Sequence, residues 1–281
     1  MINKLKSILL VATAIYLTGC GGGLSQLAQN VLYPFESVNK KYKVPDVAPE
    51  DLKDLNFSVT ATDGTAMNIH GWSYTNPNPN ARVLVYLHGN GENLQALYEF
   101  NFVAAFKQLG VHFVMIDYPG LGRSTGTPNQ ANLVNSAMTT IDWADRAYPR
   151  SPVIVWGRSL GAAVAVQATN QMQNRIQGLV LTSGWNTFID AARALSKLAD
   201  SIPKEWLDQN TYDSVAAASN IRVTTLMHHG TIDTLVPFAL GQKLFSAFPT
   251  GTAFFRELPE KGHNDIFSDP LLWQDVRGFI R

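Results

Sequence analysis

The sequence predicts an α/β fold in which a mostly parallel sheet is covered by helices on both faces. From about residue 55 onwards, short strand-like runs alternate with longer segments that show helical spacing of apolar residues. The strand-like runs are apolar almost throughout, which is typical of strands buried on both faces. With 46% apolar and 16% charged residues, the 281-residue chain is long and apolar enough to form a sizeable core.

The predicted elements follow one another in a regular order. An antiparallel hairpin comes first, around the turn Asp63-Gly64. Its strands are predicted at 56–60 and 67–74, and further strands at 82–87, 111–116, 152–156, 179–181, 224–227 and 253–258. Helices are predicted at 93–109, 133–147, 160–172, 239–248 and 271–280. The insertion 184–220, with a helical run at 188–202, is expected to form a small cap over the edge of the sheet.

The first twenty residues differ from the rest of the chain. Residues 1–6 carry two lysines and no acid, and residues 8–17 form a mostly apolar run, as in a secretory signal. Ten residues of helix span only about 15 Å, roughly half of a bilayer's hydrocarbon core, so a transmembrane helix is not expected here. The run ends in Leu17-Thr18-Gly19-Cys20, which resembles the lipobox of bacterial lipoproteins. This resemblance implies a signal peptide at 1–19 and a lipid-anchored Cys20.

Cys20 is the only cysteine of the chain, so it cannot form an internal disulfide. An ordinary signal peptide with an incidental cysteine is the alternative to lipidation. By resemblance to Gram-negative lipoproteins, glycine at position 21 favours the outer membrane of the cell envelope, facing the periplasm. The glycines at 21–23 and the prolines at 34, 45 and 49 predict that residues 20–50 form a tether. Residues 24–32 allow a short helix that would dock on the domain or the membrane, and the folded domain is expected at 51–281.

The segment Gly157-Arg158-Ser159-Leu160-Gly161 matches the G-x-S-x-G nucleophile elbow, and it lies between a buried strand and an apolar helix, as the motif requires. The strand-to-helix turn is so tight that side chains two residues before and after the nucleophile would collide with neighbouring backbone. Glycine is therefore favoured at both places. The helix that follows supplies backbone N–H groups and a partial positive charge. Ser159 is the predicted nucleophile.

Five motifs, the elbow among them, occur in one order along the chain. They read LHGNGEN at 87–93, DYPGLGRS at 117–124, GRSLG at 157–161, HGTIDTLVP at 229–237 and GHND at 262–265. In this order they resemble the α/β-hydrolase superfamily, in the branch of small serine hydrolases related to acylglycerol lipases and serine aminopeptidase-like esterases. Pro119 and Leu121 depart from the Asp-Tyr-Arg-Gly-Tyr-Gly-x-Ser pattern that is common in such enzymes, which leaves the exact subfamily open.

A serine nucleophile needs a base, and the base needs an acid that orients it. Asp233 lies just past a predicted strand, where that acid belongs, whereas Asp208 and Asp213 lie in the insertion. His263 is the only histidine after Asp233, so the chain order Ser…Asp…His of α/β hydrolases selects it as the base. A surface-loop histidine is the alternative.

The same resemblance implies an oxyanion hole. Its two donors would be the backbone N–H of Leu160, directly after the nucleophile, and that of Asn90. A plain strand-to-helix turn at 89–91 is the alternative. No metal or cofactor is expected: His228 and His229 are adjacent on a strand and should point to opposite faces, and 88–91 lacks the Lys-Ser/Thr ending of a phosphate-binding loop.

The predicted reaction is cleavage of carboxylic ester-type bonds through an acyl-enzyme on Ser159, with a small-molecule ester or a lipid as substrate. Apolar residues of the predicted cap suit an acyl chain, although packing onto the core explains them equally well. They are Trp185, Phe188, Leu195, Leu198 and Trp206. Lysophospholipase, acylglycerol lipase, thioesterase, peptidase, perhydrolase and acyltransferase activities stay open, as does an inactive scaffold lipoprotein. The charge balance of 22 basic and 22 acidic residues gives no reason to expect nucleic acid as a partner.

Overall fold

The structure is a computed structural model that describes residues 22–281, and its centre is one eight-stranded sheet. The strands lie in the order β1-β2-β4-β3-β5-β6-β7-β8. They are β1 (Lys53–Thr60), β2 (Ala66–Tyr74), β3 (Val83–Leu87), β4 (His112–Ile116), β5 (Val153–Arg158), β6 (Gly178–Thr182), β7 (Thr224–Gly230) and β8 (Ala253–Leu258). β2 runs antiparallel to both of its neighbours, and β4, β3, β5, β6, β7 and β8 are parallel. This confirms the predicted mostly parallel sheet.

Helices cover both faces of the sheet. They are α1 (Gly22–Leu32), α2 (Phe35–Lys41), α3 (Leu94–Glu99), α4 (Phe102–Leu109), α5 (Gln130–Ala147), α6 (Leu160–Met172), α7 (Phe188–Leu195), α8 (Lys204–Asp208), α9 (Ser214–Ala218), α10 (Phe238–Phe245) and α11 (Pro270–Phe279). The buried residues form two apolar layers. α5, α6 and α10 close one layer, and α3, α4 and α11 close the other. The α/β-hydrolase fold predicted from the motifs is thus present.

Two predicted helices are divided in the structure. The segment 93–109 forms α3 and α4, because Asn101 between them adopts a left-handed conformation with φ of 62°. Asparagine tolerates this conformation better than most residues, so it can end one helix and begin the next. The helical spacing of apolar residues in the sequence does not show this break. The run 188–202 forms α7 and a 3₁₀ turn at Lys197–Ser201, because Ser196 is extended. Both lie, with α8 and α9, in the insertion between β6 and β7.

The described part of the segment expected as a tether is folded onto the domain. Pro34 lies between α1 and α2, so it separates two helices and does not prevent them. Leu32, Tyr33 and Phe35 are each less than 5% exposed and belong to the larger apolar layer. A domain boundary at residue 51 would therefore cut through packed structure.

The predicted signal peptide and Cys20 lie outside the described residues. Between residues 22 and 281, none of the helices combines the length and the apolar character needed to cross a membrane.

Candidate active site

Ser159 occupies the tight turn between β5 and α6. Its backbone has φ of 53° and ψ of −117°, an unfavourable region for a residue with a side chain. A hydrogen bond from the Ser159 N–H to the carbonyl of Thr182, at 2.9 Å, helps to hold it there. A Cβ at Gly161 would collide with the carbonyl oxygen of Leu87, and one at Gly157 with backbone atoms of Gly161. The two glycines of the elbow are therefore required by backbone contacts, as the sequence predicted.

The structure brings the three predicted triad residues together at the carboxyl edge of the sheet. Asp233 follows β7 and His263 follows β8. His263 Nε2 lies 3.0 Å from Ser159 Oγ, and His263 Nδ1 lies 2.8 Å from Asp233 Oδ2. The three side chains, which come from three different loops, form one continuous hydrogen-bonded series. Ser159 and Asp233 are only 6% and 5% exposed, so these contacts are largely shielded from solvent.

The carboxylate of Asp233 is held on both of its oxygens. Oδ1 accepts hydrogen bonds from the N–H groups of Leu235 and Val236 at 2.9 and 2.8 Å, which leaves Oδ2 for His263. Burial alone would raise the pKa of Asp233, but the hydrogen bond and electrostatic attraction of His263, with the Val236 N–H, outweigh it and hold the pKa below its ordinary value. Asp233 is therefore charged and fixed in orientation.

The two adjacent histidines of β7 point to opposite faces of the sheet. His229 Nε2 donates to the carbonyl oxygen of Val236 at 2.8 Å and lies 3.6 Å from Asp233 Oδ2, so it packs behind the acid. His228 lies on the other face, with Nε2 3.5 Å from a carboxylate oxygen of Asp275 in α11. Burial lowers the pKa of both histidines, which are therefore neutral at pH 7.

The residues predicted to supply the oxyanion donors, Leu160 and Asn90, belong to the elbow and to a turn next to it. Leu160 N–H begins α6, and within residues 22–281 neither it nor the Asn90 N–H donates to a protein acceptor. The turn that carries Asn90 is close to the nucleophile, since a Cβ at Gly89 would lie 3.6 Å from Ser159 Cβ. The Asn90 side chain points elsewhere: its Nδ2 donates to the carbonyls of Val31 and Leu32 in α1.

The apolar residues predicted for the cap differ in burial and fall into three groups. Trp185 and Phe188 are at most 5% exposed and pack into the core. Trp206 is half-buried and donates through Nε1 to Gln29 of α1 at 3.0 Å. Leu195 and Leu198 are 50% and 42% exposed, so core packing does not account for them.

Two open surface clefts lie away from the triad. One, of about 620 Å³, is lined by residues such as His112 and Tyr148 at the amino edge of the sheet, and the other, of about 640 Å³, by residues such as Asn129 and Asp208. Neither includes a triad residue. The candidate site is therefore defined by the geometry of its side chains and not by the size of a cleft.

Two charged residues beside the triad were not predicted from the sequence. Arg158 of the elbow and Glu92 of the HGNGEN segment form a buried ion pair. Each is a charged residue directly after a glycine within a motif, which is the only signal that the sequence carries. Their pairing across 66 positions could not be read from it.

Comparisons with known proteins agree with this architecture. The profile of a family described as "Serine aminopeptidase, S33" matches residues 78–212, which include Ser159 but neither Asp233 nor His263. An esterase from Pyrococcus furiosus superposes with a TM-score of 0.65 at 17% identity, over 85% of this chain and 94% of that one. The chain belongs to the α/β-hydrolase superfamily.

Its relatives within the superfamily include lipases. The chain is 30% identical over 220 residues to lysophosphatidylserine lipase ABHD12 of Gallus gallus, an alignment that covers 70% of this chain and 58% of that protein. The chain thus spans little more than half the length of this relative. It is 27% identical over 290 residues to the uncharacterized protein YfhR of Salmonella typhi, with 95% of this chain and 90% of that one aligned.

Proposed function

We propose that this α/β hydrolase cleaves carboxylic ester-type bonds through an acyl-enzyme on Ser159. The observation that carries the proposal is the continuous series Ser159–His263–Asp233, with heavy-atom distances of 3.0 and 2.8 Å. These distances suit proton transfer from a serine hydroxyl to an imidazole that is oriented by a carboxylate.

In the first step, Ser159 Oγ attacks the substrate carbonyl carbon while His263 Nε2 takes its proton. Asp233 keeps the Nδ1–H tautomer of His263 and stabilises the imidazolium that forms. Negative charge develops on the former carbonyl oxygen, where the N–H groups of Leu160 and Asn90 would stabilise it. Removing one such donor costs about 3–4 kcal/mol of transition-state stabilisation in other enzymes. The imidazolium then protonates the leaving alkoxide, and the acyl group stays on Ser159.

In the second step, His263 Nε2 takes a proton from water, and the resulting hydroxide attacks the acyl carbon. This attack forms a tetrahedral intermediate. When it collapses, the bond between Ser159 Oγ and the acyl carbon breaks, His263 returns the proton to Ser159 Oγ, and the carboxylic acid is released. No step of this sequence needs a metal or a cofactor.

We further propose an ester with an apolar acyl chain as the substrate class. Four large apolar residues in the segments after β6 and β7 are exposed: Leu195 and Leu198 in the insertion, and Ile232 and Leu235 on either side of Asp233. Exposed apolar side chains in the segments that follow β6 and β7, the second of which carries Asp233, favour an apolar ligand over a polar one. The relative ABHD12 is described as a lysophosphatidylserine lipase, which supports the hypothesis that the substrate is a lysophospholipid.

Attachment to the cell envelope through a lipid on Cys20 stays part of the proposal, with outer-membrane sorting suggested by Gly21. Position 20 is two residues before the start of α1, whose eleven residues span about 16 Å. The carbonyl of Leu32 at the other end of α1 accepts a hydrogen bond from Asn90. An anchor at Cys20 would therefore keep the proposed oxyanion turn within a few nanometres of the bilayer, close to lipid esters.

A fluorophosphonate probe tests the proposed nucleophile directly. We expect labelling of the wild-type protein and none of Ser159→Ala. Ser136→Ala is a matched control, because Ser136 is also a buried serine but bonds only to the carbonyl of Asn132 in α5. Labelling of the control should equal that of the wild type. A folded wild-type protein that neither reacts with the probe nor hydrolyses any p-nitrophenyl ester would instead support an inactive scaffold.

A further inference from the structure

A buried ion pair lies next to the proposed triad but is not part of it. Arg158, the residue before Ser159, contacts Oε1 of Glu92 through Nη1. The side chains of Arg158 and Glu92 are only 8% and 7% exposed. Charges removed from water to this extent are stable only when they are paired and hydrogen-bonded, so each of the two residues depends on the other.

The guanidinium of Arg158 has further partners in the loop that carries the base. Nη2 donates to the backbone carbonyl of His263 at 3.1 Å and to Oδ1 of Asn264 at 2.9 Å. The ring of Phe267 lies 5.6 Å from the guanidinium carbon. A planar guanidinium makes these contacts in two directions at once, which the single ammonium group of a lysine cannot do.

The carboxylate of Glu92 holds the opposite loop. Its Oε2 accepts a hydrogen bond from the N–H of Gly89 at 3.0 Å. Gly89 directly precedes Asn90, and it faces the Cβ of Ser159. One ion pair therefore joins three segments: the loop of His263, the nucleophile elbow, and the turn proposed to supply an oxyanion donor.

We propose that Arg158 and Glu92 are positioning residues for acyl transfer at Ser159. They set the separation between the His263 loop and the turn at 89–90, and they act through the backbone of His263 and Gly89. This inference rests on the proposed function, since it assigns a role in that reaction. Displacement of a reacting group by about 1 Å can lower a rate about 100-fold, so loss of the pair acts on kcat.

The test compares three variants in steady-state hydrolysis of p-nitrophenyl butyrate, each with a urea unfolding curve. Arg158→Lys keeps the positive charge but cannot contact Glu92 and the His263 loop at the same time. Glu92→Gln removes the negative charge but keeps an oxygen that can accept the hydrogen bond from the Gly89 N–H. In the double variant Arg158→Met/Glu92→Met both charges are absent, and replacing both members of a buried pair by apolar residues commonly preserves stability. We expect kcat to fall at least about 10-fold in all three. KM should stay within about three-fold of the wild-type value.

Arg175→Met is the matched control. Arg175 is ion-paired with Asp145 at 2.9 Å but lies before β6, at the opposite edge of the sheet, so its kcat should equal that of the wild type. A double variant that folds cooperatively and retains wild-type kcat would show that the pair serves stability alone and would overturn the inference. A rise in KM at unchanged kcat in Arg158→Lys and Glu92→Gln would overturn it as well, even if the double variant does not fold. Failure of the proposed function looks different, because the wild-type protein itself would then lack activity and labelling.

Discussion

The side-chain amide of Asn90 donates a hydrogen bond to the carbonyl oxygen of Leu32 at 3.1 Å. Leu32 is the last residue of α1, where helix carbonyls have no partner within the helix, and Asn90 donates to two of them, those of Val31 and Leu32. A second link lies nearby, since Asn93 Nδ2 donates to the carbonyl of Tyr42 at 2.7 Å. The N-terminal segment therefore braces the turn that carries the proposed oxyanion donor.

Removal of residues 1–50 is expected to prevent folding. Leu32, Tyr33, Phe35 and Val38 are buried against the domain, and burial of four such side chains contributes on the order of 10 kcal/mol. That is as large as the whole stability of a typical domain. A protein consisting of 22–281 should show a cooperative thermal transition by circular dichroism, and one consisting of 51–281 should not. A cooperative transition in the shorter protein, with esterase activity, would contradict this expectation.

The sequence allowed a docked helix at 24–32, but it could not show that the rest of this segment packs onto the domain. Triglycine and three prolines within thirty residues are typical of a linker, and each of α1 and α2 is too short to show a strong helical period. The burial of Tyr33 depends on partners far along the chain, since its hydroxyl donates to Asn210 at 2.7 Å. Strands β3 to β6 could be predicted, because local runs of apolar residues are buried on both faces whatever the partner is.

Asp233→Asn is expected to lower kcat by about 10³–10⁴ with little loss of stability. The amide oxygen of asparagine can replace Oδ1 as acceptor for Leu235 and Val236, which turns its NH₂ group towards His263 Nδ1. The imidazole is then held with its proton on Nε2 and cannot accept the proton of Ser159. Hydrolysis of p-nitrophenyl butyrate, measured beside a urea unfolding curve, checks both parts. A loss of activity below 10-fold would argue against Asp233 as the orienting acid.

In the candidate site, too, residues that lie in local motifs could be predicted from the sequence, whereas contacts between distant segments could not. Ser159, Asp233 and His263 could be predicted because each lies in a motif directly after a predicted strand, and carboxyl ends of parallel strands meet at one edge. Arg158 lies within one of those motifs, yet its link to Glu92 and His263 depends on how two loops approach each other. The periodicity and spacing of residues in a single sequence do not show which loops lie close together in the fold.

Acidification should destabilise the protein partly through His228. Burial lowers the pKa of His228 from 6.5 to about 4, although Asp275 partly opposes the shift. The unfolded chain therefore binds a proton at a higher pH than the folded one. The stabilisation is complete above pH 6.5 and is lost as the pH falls towards 4, with a maximum on the order of 3 kcal/mol.

His228→Leu removes this contribution and breaks only the 3.5 Å contact of Nε2 with Asp275, since neither ring nitrogen has a hydrogen-bond partner among the described residues. Urea unfolding of both proteins from pH 8 to pH 4 checks the expectation. The difference between their unfolding free energies should be constant above pH 7. Below pH 6.5 it should shift progressively in favour of the variant. Parallel curves over the whole range would contradict it.

Leu195→Ser/Leu198→Ser is expected to separate long from short acyl chains. Both residues are about half exposed, so their replacement should leave the unfolding free energy within about 1 kcal/mol of the wild-type value. If their exposed surfaces bind an acyl chain, kcat/KM for p-nitrophenyl laurate should fall about 10-fold or more, because each buried methylene group contributes about 0.8 kcal/mol. The butyrate ester, whose acyl chain is much shorter, should react at the wild-type rate. Phe254→Ser is the control, since Phe254 is 58% exposed on β8, near the amino edge of the sheet. Equal losses of kcat/KM with both esters would show that the two leucines do not bind the distal part of a long acyl chain.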